Sequence, residues 1–368
     1  MTGQRIAILL PNLRSGGAER LHVDLAREWV SLGLSVDFVL RMADGVLLEA
    51  LPDGCRVVDL HARRVRNAII PLARYLKVSK PDALLAPMWP NSAIAPIVAK
   101  AVGFKGRVVS SEHAPQSVAS SKKGVAHHFA MVASMRLGYR LASAIVGVSR
   151  GVAADAAQLA GMQSRSIKVI YNPAARGVQM DRAGWSLPIE KNGPLILSVG
   201  TLKQVKRFDL LIRAFAQVQD IRTRLCIVGE GSEKARLMDL ATSLGVAERV
   251  SFPGFQRDPT SWYSHSDLFV LCSDYEGFGN VIVEALEQGT PVVCTDCPFG
   301  PREILDNGRY GELVPVGDVD ALSAAMESSL KRSHDSSLLR RRASDFRVGH
   351  AARAYLEILV PDWQHRQP

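Results

Sequence analysis

The chain has 368 residues, of which 47% are hydrophobic and 22% charged, and its formal net charge is +9. This length is typical of two domains, and the apolar content is enough to fill two ordinary cores. The basic excess favours an anionic partner such as a nucleotide or a phospholipid surface, whereas the 6% of aromatic residues, without basic-aromatic interleaving, argues against nucleic-acid binding.

Two apolar regions of the sequence have some features of targeting or membrane segments. The first, residues 6–10, ends at Pro11 and is too short for a signal peptide. The second, residues 83–104, is interrupted by Pro87, Pro90 and Pro96, so we expect no membrane-spanning helix there.

The cysteines predict no special chemistry. There are five, and an odd, scattered set favours reduced thiols and a cytoplasmic setting. Cys294 and Cys297 form a C-x-x-C, but no second pair at zinc spacing accompanies them. We therefore expect core residues here and no metal or redox site.

Strand-like and helix-like segments alternate along the first half. Residues 5–10 predict a buried strand, and residues 16–32 predict a helix with Leu21, Leu25 and Trp29 on one face. Further strands are predicted at residues 36–40, 57–60, 83–86, 108–110 and 144–148. Such alternation is typical of a doubly wound parallel sheet.

Residues 171–192 lack periodicity and contain two prolines and two glycines, so they are predicted to be a linker. The alternation then restarts with strands at residues 195–199, 225–228, 250–252, 268–271 and 291–295, and with helices at residues 209–216 and 233–244. The sequence therefore predicts a second domain of the same class.

Two motifs in the first half follow predicted strands. Gly16 and Gly17, in the run SGGAER, allow a ligand close to the backbone at the start of a helix, although a tight strand-helix turn is the alternative. No G-x-G-x-x-G occurs here, which disfavours a dinucleotide site. His113 follows the strand near residue 110, where a side chain is more often directed at a ligand than at the core.

Three loops of the second half also follow strands. Residues 198–209, SVGTLKQVKRFD, form a basic loop that can hold phosphate or be simply solvated. Residues 228–232 form a glycine turn before a helix, and residues 254–257 place Phe255 after the next strand. A plain turn is the alternative for residues 228–232, and Arg257 could either cover a base or simply be exposed.

The stretch of residues 272–305 is the most informative. A turn with two glycines and Glu276 precedes a helix pattern that contains Glu284, and Gly289 ends the helix. Backbone N–H groups and the helix dipole at such a turn suit phosphate or sugar oxygens. We expect the two carboxylates, spaced as on two helical turns, to face one ligand; two solvated glutamates are the alternative.

Together these motifs resemble glycosyltransferase family 4, the retaining enzymes of the GT-B fold, in the form that assembles bacterial polysaccharides and lipid-linked oligosaccharides. The resemblance covers nearly the whole chain. It implies an α/β fold with two Rossmann-like domains whose parallel sheets face each other across a cleft. The implied domains are an acceptor-side domain at residues 1–172, a nucleotide-sugar domain at residues 173–347, and a C-terminal helix at residues 348–368 that crosses back to the first.

The implied activity is retaining transfer of a sugar from a nucleotide diphosphate-sugar, with UDP favoured, to a saccharide acceptor that is lipid-linked. No metal or other cofactor is expected, because cationic groups and helix ends take that role. A nucleotide-sugar epimerase or hydrolase on the same scaffold and a non-catalytic sugar-nucleotide binding protein are the alternatives.

The resemblance also implies residue roles. The catalytic residues would be His113, Glu276 and Lys206, with His113 and Glu276 on the sugar and Lys206 on the diphosphate. The donor-binding residues would be Gly16, Gly17, Thr201, Lys206, Gly229, Gly231, Phe255, Gly277, Phe278, Gly279, Asn280 and Glu284. Glu284 would bind the ribose hydroxyls. Thr201 stands where the family usually has arginine, which puts part of the diphosphate grip in doubt unless Lys203 or Arg207 compensates.

Two segments of the first half mix basic and apolar residues, at residues 63–77 and 122–140. Helices of this kind can lie on an anionic membrane, although ordinary amphipathic helices are the alternative. We therefore expect a cytoplasmic protein that associates with the inner face of the cell membrane.

Overall fold

The structure, a computed structural model, describes residues 4–14, 16–177 and 192–363. Two compact units are present: unit 1 is Met1–Pro173 with Val348–Pro368, and unit 2 is Ala174–Arg347. Most of the predicted linker, residues 178–191, lies outside the described residues, as does Ser15.

The regular elements lie close to those predicted from the hydrophobic pattern. The strands are β1 (Arg5–Leu10), β2 (Ser35–Leu40), β3 (Cys55–Asp59), β4 (Ala83–Pro87), β5 (Arg107–Glu112), β6 (Ala144–Gly147), β7 (Lys168–Val169), β8 (Leu195–Val199), β9 (Arg224–Val228), β10 (Val250–Gly254), β11 (Leu268–Leu271), β12 (Val292–Thr295) and β13 (Glu312–Val314). The helices are α1 (Gly17–Ser31), α2 (Val65–Ser79), α3 (Asn91–Ala101), α4 (Gln116–Ala119), α5 (Val125–Leu141), α6 (Arg150–Ala160), α7 (Phe208–Ala216), α8 (Lys234–Ser243), α9 (Thr260–His265), α10 (Asn280–Gln288), α11 (Pro301–Ile304), α12 (Val319–Lys331), α13 (Ser336–Ser344) and α14 (Val348–Leu359).

Each unit is built on a parallel sheet. In unit 1 the described strands are ordered β3-β2-β1-β4-β5-β6-β7, and in unit 2 they are ordered β10-β9-β8-β11-β12-β13. The register pairs Ile6 with Val36 and with Ala83 in unit 1, and Leu268 with Ile196 in unit 2. The predicted class, two Rossmann-like units with parallel sheets and covering helices, is confirmed.

The core of unit 1 includes the last helix of the chain. Trp29 of α1 is fully buried, its indole Nε1 donates to the Ala352 carbonyl at 3.1 Å, and its ring meets Tyr355 edge-on at 6.5 Å. The Arg107 guanidinium donates to the Ile358 carbonyl at 2.7 Å. Helix α14 is thus an integral part of the core that covers β1 and β4.

The structure also describes the cysteines and the character of the helices. All five cysteines lie in the described residues as free thiols, and all except the half-buried Cys55 are buried. Within the described part of the chain, none of the helices combines the length and the apolar character needed to cross a bilayer.

Candidate active site

In each unit the strand order reverses next to the first strand of the sheet. In unit 2 the chain leaves β8 towards β9 on one side, while β11 lies on the other, so the loops after β8 and β11 diverge at the carboxyl edge. Such a switch point leaves a crevice in which ligands of open α/β sheets bind. The basic loop of residues 200–207 and the loop of residues 272–279 flank this crevice.

Lys206 and Glu276 meet at this switch point. Lys206 Nζ lies 2.5 Å from Glu276 Oε1, and the Ser273 hydroxyl donates to the same oxygen at 2.6 Å. The two side chains are only 23% and 11% exposed, so solvent screens their attraction less than it would on an open surface. The family resemblance implied that Lys206 contacts the diphosphate and Glu276 the sugar. In the structure the two side chains also contact each other.

Thr201, in the same loop, is exposed, and its neighbourhood offers other cations. The Arg207 guanidinium donates to Asp274 at 3.0 Å and to Asp209 at 3.2 Å, which commits it to two carboxylates. The Lys203 side chain is exposed. Lys206 is therefore the half-buried ammonium that this loop places against the carboxylate of the neighbouring loop.

The glycines of the loop after β9 are needed for packing. A Cβ on Gly229, whose φ is +144°, would lie 1.9 Å from the Gly200 carbonyl oxygen, and one on Gly231 would lie 2.3 Å from that of Leu202. The Leu202 N–H donates to the Glu230 carbonyl at 2.9 Å. The two loops thus lie backbone on backbone, which is a structural reason for both glycines.

The turn before α10 is held in place by packing around Phe278. Gly279, at φ +103°, precedes the helix, and the Phe278 ring is buried edge-on against Phe346 at 5.4 Å. Gly300 also has φ +103°, and a Cβ there would lie 1.9 Å from the Phe278 carbonyl oxygen. Phe278 therefore anchors the turn through its ring, while Gly277 and Asn280 lie on either side of the anchored segment.

Glu284 lies inside α10, whereas Glu276 precedes the helix by four residues. The prediction that helical spacing relates the two carboxylates is wrong, because the turn at residues 277–279 is not helical. Glu284 Oε2 instead accepts a hydrogen bond from the buried Tyr263 hydroxyl at 2.8 Å. Burial and the neighbouring carboxylate raise the pKa of Tyr263 well above its usual value, so this tyrosine stays a neutral donor.

Phe255 follows β10 and is 53% exposed. The preceding Gly254 has φ +82°, and a Cβ there would lie 2.9 Å from Glu230 Oε1. An exposed aromatic ring beside a tight backbone turn suits stacking against a planar ligand.

In unit 1 the strand order reverses between β1 and β4. Gly16 precedes α1, Gly17 begins it, and the Glu19 side chain folds back so that a Cβ on Gly16 would lie 2.0 Å from Glu19 Oε2. Burial raises the pKa of the Glu19 carboxyl. This carboxyl lies beside the backbone at the helix start, where the sequence predicted a ligand.

His113 follows β5 and is half-buried. Its Nε2 lies 3.2 Å from Ser111 Oγ, and its ring centroid lies 5.2 Å from that of His22. Burial, followed by the effect of His22, lowers the pKa of His113 well below its usual value, so the ring is neutral at physiological pH.

Sequence reasoning missed His22. It is fully buried on α1, on the same face as Leu25 and Trp29. The helical periodicity already places it on the apolar face, four residues before Ala26, and a histidine among such residues was the available signal. Glu112 was also not singled out; it is buried and accepts from the Tyr139 hydroxyl at 2.6 Å and the Gln116 amide at 3.2 Å.

Both halves of this chain are similar to known protein families. Residues 15–175 match the sequence model "Glycosyltransferase Family 4", and residues 180–345 match "Glycosyl transferases group 1". The lipopolysaccharide core biosynthesis glycosyltransferase LpsE of Rhizobium meliloti is 29% identical over 94% of this chain and 96% of that protein. The N-acetylgalactosamine-N,N'-diacetylbacillosaminyl-diphospho-undecaprenol 4-alpha-N-acetylgalactosaminyltransferase of Campylobacter jejuni is 28% identical over 89% of this chain and 90% of that protein.

Solved structures show the same fold. HepE of Anabaena in complex with UDP has a TM-score of 0.76 at 22% identity, covering 97% of this chain and 100% of that one. The lipopolysaccharide outer core galactosyltransferase WaaB in its apo form has a TM-score of 0.74 at 19% identity, covering 98% and 100%. The fold is that of the GT-B glycosyltransferases, and the chain belongs to glycosyltransferase family 4.

Proposed function

We propose that this protein is a retaining glycosyltransferase that moves a sugar from a UDP-sugar to a saccharide acceptor. The observation that carries the proposal is the Lys206–Glu276 pair at the switch point of unit 2. An ammonium group has three N–H donors, and the contact with Glu276 uses one of them. Lys206 can therefore keep its carboxylate partner and also bind the diphosphate of a donor. UDP is favoured because HepE, a protein of the same fold, binds it.

The proposed reaction needs charge stabilisation more than a nucleophile. The bond between the anomeric carbon and the β-phosphate oxygen breaks, and its electron pair stays on the phosphate. The acceptor hydroxyl forms the new glycosidic bond on the same face and gives its proton to that phosphate. Because negative charge grows on the leaving diphosphate, a fixed cation aimed at it lowers the barrier. Glu276 would accept hydrogen bonds from the sugar hydroxyls, and Glu284 from the ribose.

We further propose a lipid-linked acceptor and a place in surface polysaccharide or glycoconjugate assembly. The support comes from the relatives: one is named for lipopolysaccharide core biosynthesis and another for a diphospho-undecaprenol substrate. We also propose that transfer needs no metal ion, with Lys206 and the start of α10 stabilising the diphosphate. Among the described residues, no group of three His, Cys, Asp or Glu side chains is arranged to hold a metal ion.

The test begins with the donor. Thermal melts against UDP-, GDP-, ADP- and TDP-sugars identify the base, because a ligand of the native state raises the melting temperature. Transfer to a panel of saccharide and undecaprenyl-diphosphate-saccharide acceptors is then followed with and without EDTA. We expect transfer that EDTA leaves unchanged, and NMR of the product showing the anomeric configuration of the donor. An inverted product or loss of transfer in EDTA contradicts the respective part of the proposal.

The same assays decide between the alternatives. Consumption of the nucleotide sugar at the same rate without any acceptor would indicate an epimerase or a hydrolase. Donor binding by calorimetry without transfer to any acceptor would indicate a binding protein.

We also propose that the protein associates with an anionic membrane surface through unit 1. Helices α2 and α5 lie on either side of α3 and contact it. Ile70, Val78 and Phe129 on the two outer helices are 73%, 77% and 69% exposed. The exposed basic residues around them on these helices are Arg66, Arg74, Lys77, Arg136 and Arg140.

Other apolar residues of the two segments do not contribute to this surface. Leu72, Tyr75, Met131 and Met135 are buried in the core of unit 1. The patch is therefore a set of single exposed apolar side chains among cations, which suits the headgroup region of an anionic bilayer.

We expect the double variant Arg74→Gln, Lys77→Gln to bind vesicles of phosphatidylglycerol and phosphatidylcholine roughly 30-fold more weakly, since each basic residue near such a surface contributes about 1 kcal/mol. Co-sedimentation measures this. The matched control, Arg165→Gln with Lys168→Gln, removes two exposed cations outside both helices and should bind as the wild type does. Equal weakening in the two variants, or equal binding to pure phosphatidylcholine, would contradict this surface.

A further inference from the structure

Three buried imidazole nitrogens in unit 1 have no hydrogen-bond partner among the described residues: His22 Nε2, His113 Nδ1 and His127 Nε2. The first two belong to neighbouring rings. Buried polar atoms are almost always paired, so two unpaired nitrogens on rings whose centroids lie 5.2 Å apart call for an explanation.

The tautomer of His22 follows from its other nitrogen. His22 Nδ1 lies 2.6 Å from the Ala18 carbonyl oxygen, which can only accept. Nδ1 therefore carries the proton. In the neutral ring Nε2 is then a lone-pair acceptor, and it is buried with no donor within hydrogen-bond distance among the described residues.

In His113 the nitrogen without a partner is expected to be a hydrogen-bond donor. Its Nε2 lies 3.2 Å from Ser111 Oγ, and a serine hydroxyl can donate to it. When it does, Nε2 is the acceptor, and the proton of the neutral His113 ring lies on Nδ1. The unpaired nitrogen of His113 then becomes a donor beside the unpaired acceptor of His22.

We propose that His22 is a positioning residue for His113: His113 Nδ1–H donates to His22 Nε2, which fixes the ring of His113 and leaves its Nε2 as the acceptor for a substrate hydroxyl. Rings 5.2 Å apart allow a nitrogen-nitrogen hydrogen bond of about 3 Å once the two nitrogens point at each other, so a rotation of the rings suffices. The role in catalysis rests on the proposed glycosyl transfer. The hydrogen bond itself does not.

The hydrogen bonds that link Ala18, His22 and His113 would all run in one direction, each donor pointing towards Ala18. Ala18 accepts from His22 Nδ1, and His22 Nε2 accepts from His113 Nδ1. A sugar hydroxyl would then replace the Ser111 hydroxyl at His113 Nε2. The partner of one ring nitrogen sets the state of the other, which is how a second residue controls the chemistry of a histidine.

The deciding measurement is the tautomer of His113 in the free full-length protein, from the ¹⁵N shifts of labelled histidines. The chain has nine histidines, and the spectrum of His113→Gln assigns the signals of His113. We expect the Nδ1–H form in the wild type, with that proton coupled to His22 Nε2. An Nε2–H form in the wild type would overturn the proposal, and this reading needs no variant of His22 and no substrate.

Substitutions of His22 separate positioning from packing. His22→Phe keeps a ring but removes the acceptor, so His113 should lose its preference for the Nδ1–H form. His22→Gln places a carbonyl oxygen near the position of Nε2 and should restore that preference. Val23→Ala, a core truncation at the next residue of α1, should lower the melting temperature and leave the tautomer unchanged.

Kinetics with the donor found by the thermal screen complete the test. For His22→Phe we expect kcat to fall roughly 10- to 100-fold with an unchanged KM for the donor, and His22→Gln to recover most of it. An unchanged tautomer and kcat in His22→Phe would overturn the proposal. If transfer is found in no assay while the spectra show the predicted bond, the proposed function fails and the hydrogen bond stands.

Discussion

Replacing Lys206 with methionine is expected to lower kcat roughly 10²- to 10³-fold, the usual effect of removing one group that stabilises transition-state charge. Methionine keeps the length and most of the apolar volume of lysine, so the loss reports the charge. The effect should lie at the upper end of this range, because Thr201 leaves the loop without the arginine that the family usually has there. Initial rates of nucleoside diphosphate release, with saturating donor, measure it.

Two controls make the Lys206 result specific. Lys331→Met removes an exposed lysine of α12 that pairs with Glu327 at 3.6 Å, and it should leave kcat unchanged. Lys206→Met also leaves Glu276 without its cation, so the double variant with Glu276→Gln should recover stability in thermal melts without recovering activity. Near-normal kcat in Lys206→Met would remove Lys206 from the proposed mechanism.

The second large effect is expected at Glu284. Glu284→Ala should strongly lower transfer at limiting donor concentration, because the ribose hydroxyls lose a charged acceptor. A hydrogen bond to a charged group contributes about 1.5–3 kcal/mol, which corresponds to roughly 10- to 150-fold weaker binding of UDP. Titration calorimetry with UDP measures the binding, and thermal melts show whether the fold survives.

Glu284 also accepts the buried Tyr263 hydroxyl, so its removal has a structural cost. Glu284→Gln keeps an acceptor for that hydroxyl and removes only the charge, which separates the two effects. Glu327→Ala provides a matched control, since Glu327 on α12 accepts from the Gln219 backbone at 2.8 Å. Normal turnover by Glu284→Ala with every donor tried would remove the ribose assignment.

The sequence predicted the fold well where strands are continuous apolar runs. The bounds predicted for β1, β8 and β11 agree with the structure to the residue, because these strands are buried on both faces and end at polar or turn residues. Strand β13 has three residues and α13 carries several arginines with few apolar residues. Their apolar patterns are too weak to stand out, and both were missed.

Candidate site residues could be proposed one by one from the sequence, but their arrangement could not. Glu276 and Lys206 were each proposed from their loops, yet nothing in the spacing of positions 70 residues apart shows that they form an ion pair. Their contact follows from β8 and β11 being neighbours in the sheet. His22 was missed for a related reason: its significance depends on His113, which a different strand brings to it.

The position of α14 has a consequence for biosynthesis. The indole of Trp29 donates to the carbonyl of Ala352 in α14. When the strands of the first sheet have left the ribosome, α14 has not yet been synthesised, and the core of unit 1 is still incomplete. Domains generally fold as units, N-terminal first, as the ribosome releases them. Here unit 1 emerges first but is completed last, because α14 belongs to it. Unit 2 can therefore fold before unit 1 has its last helix.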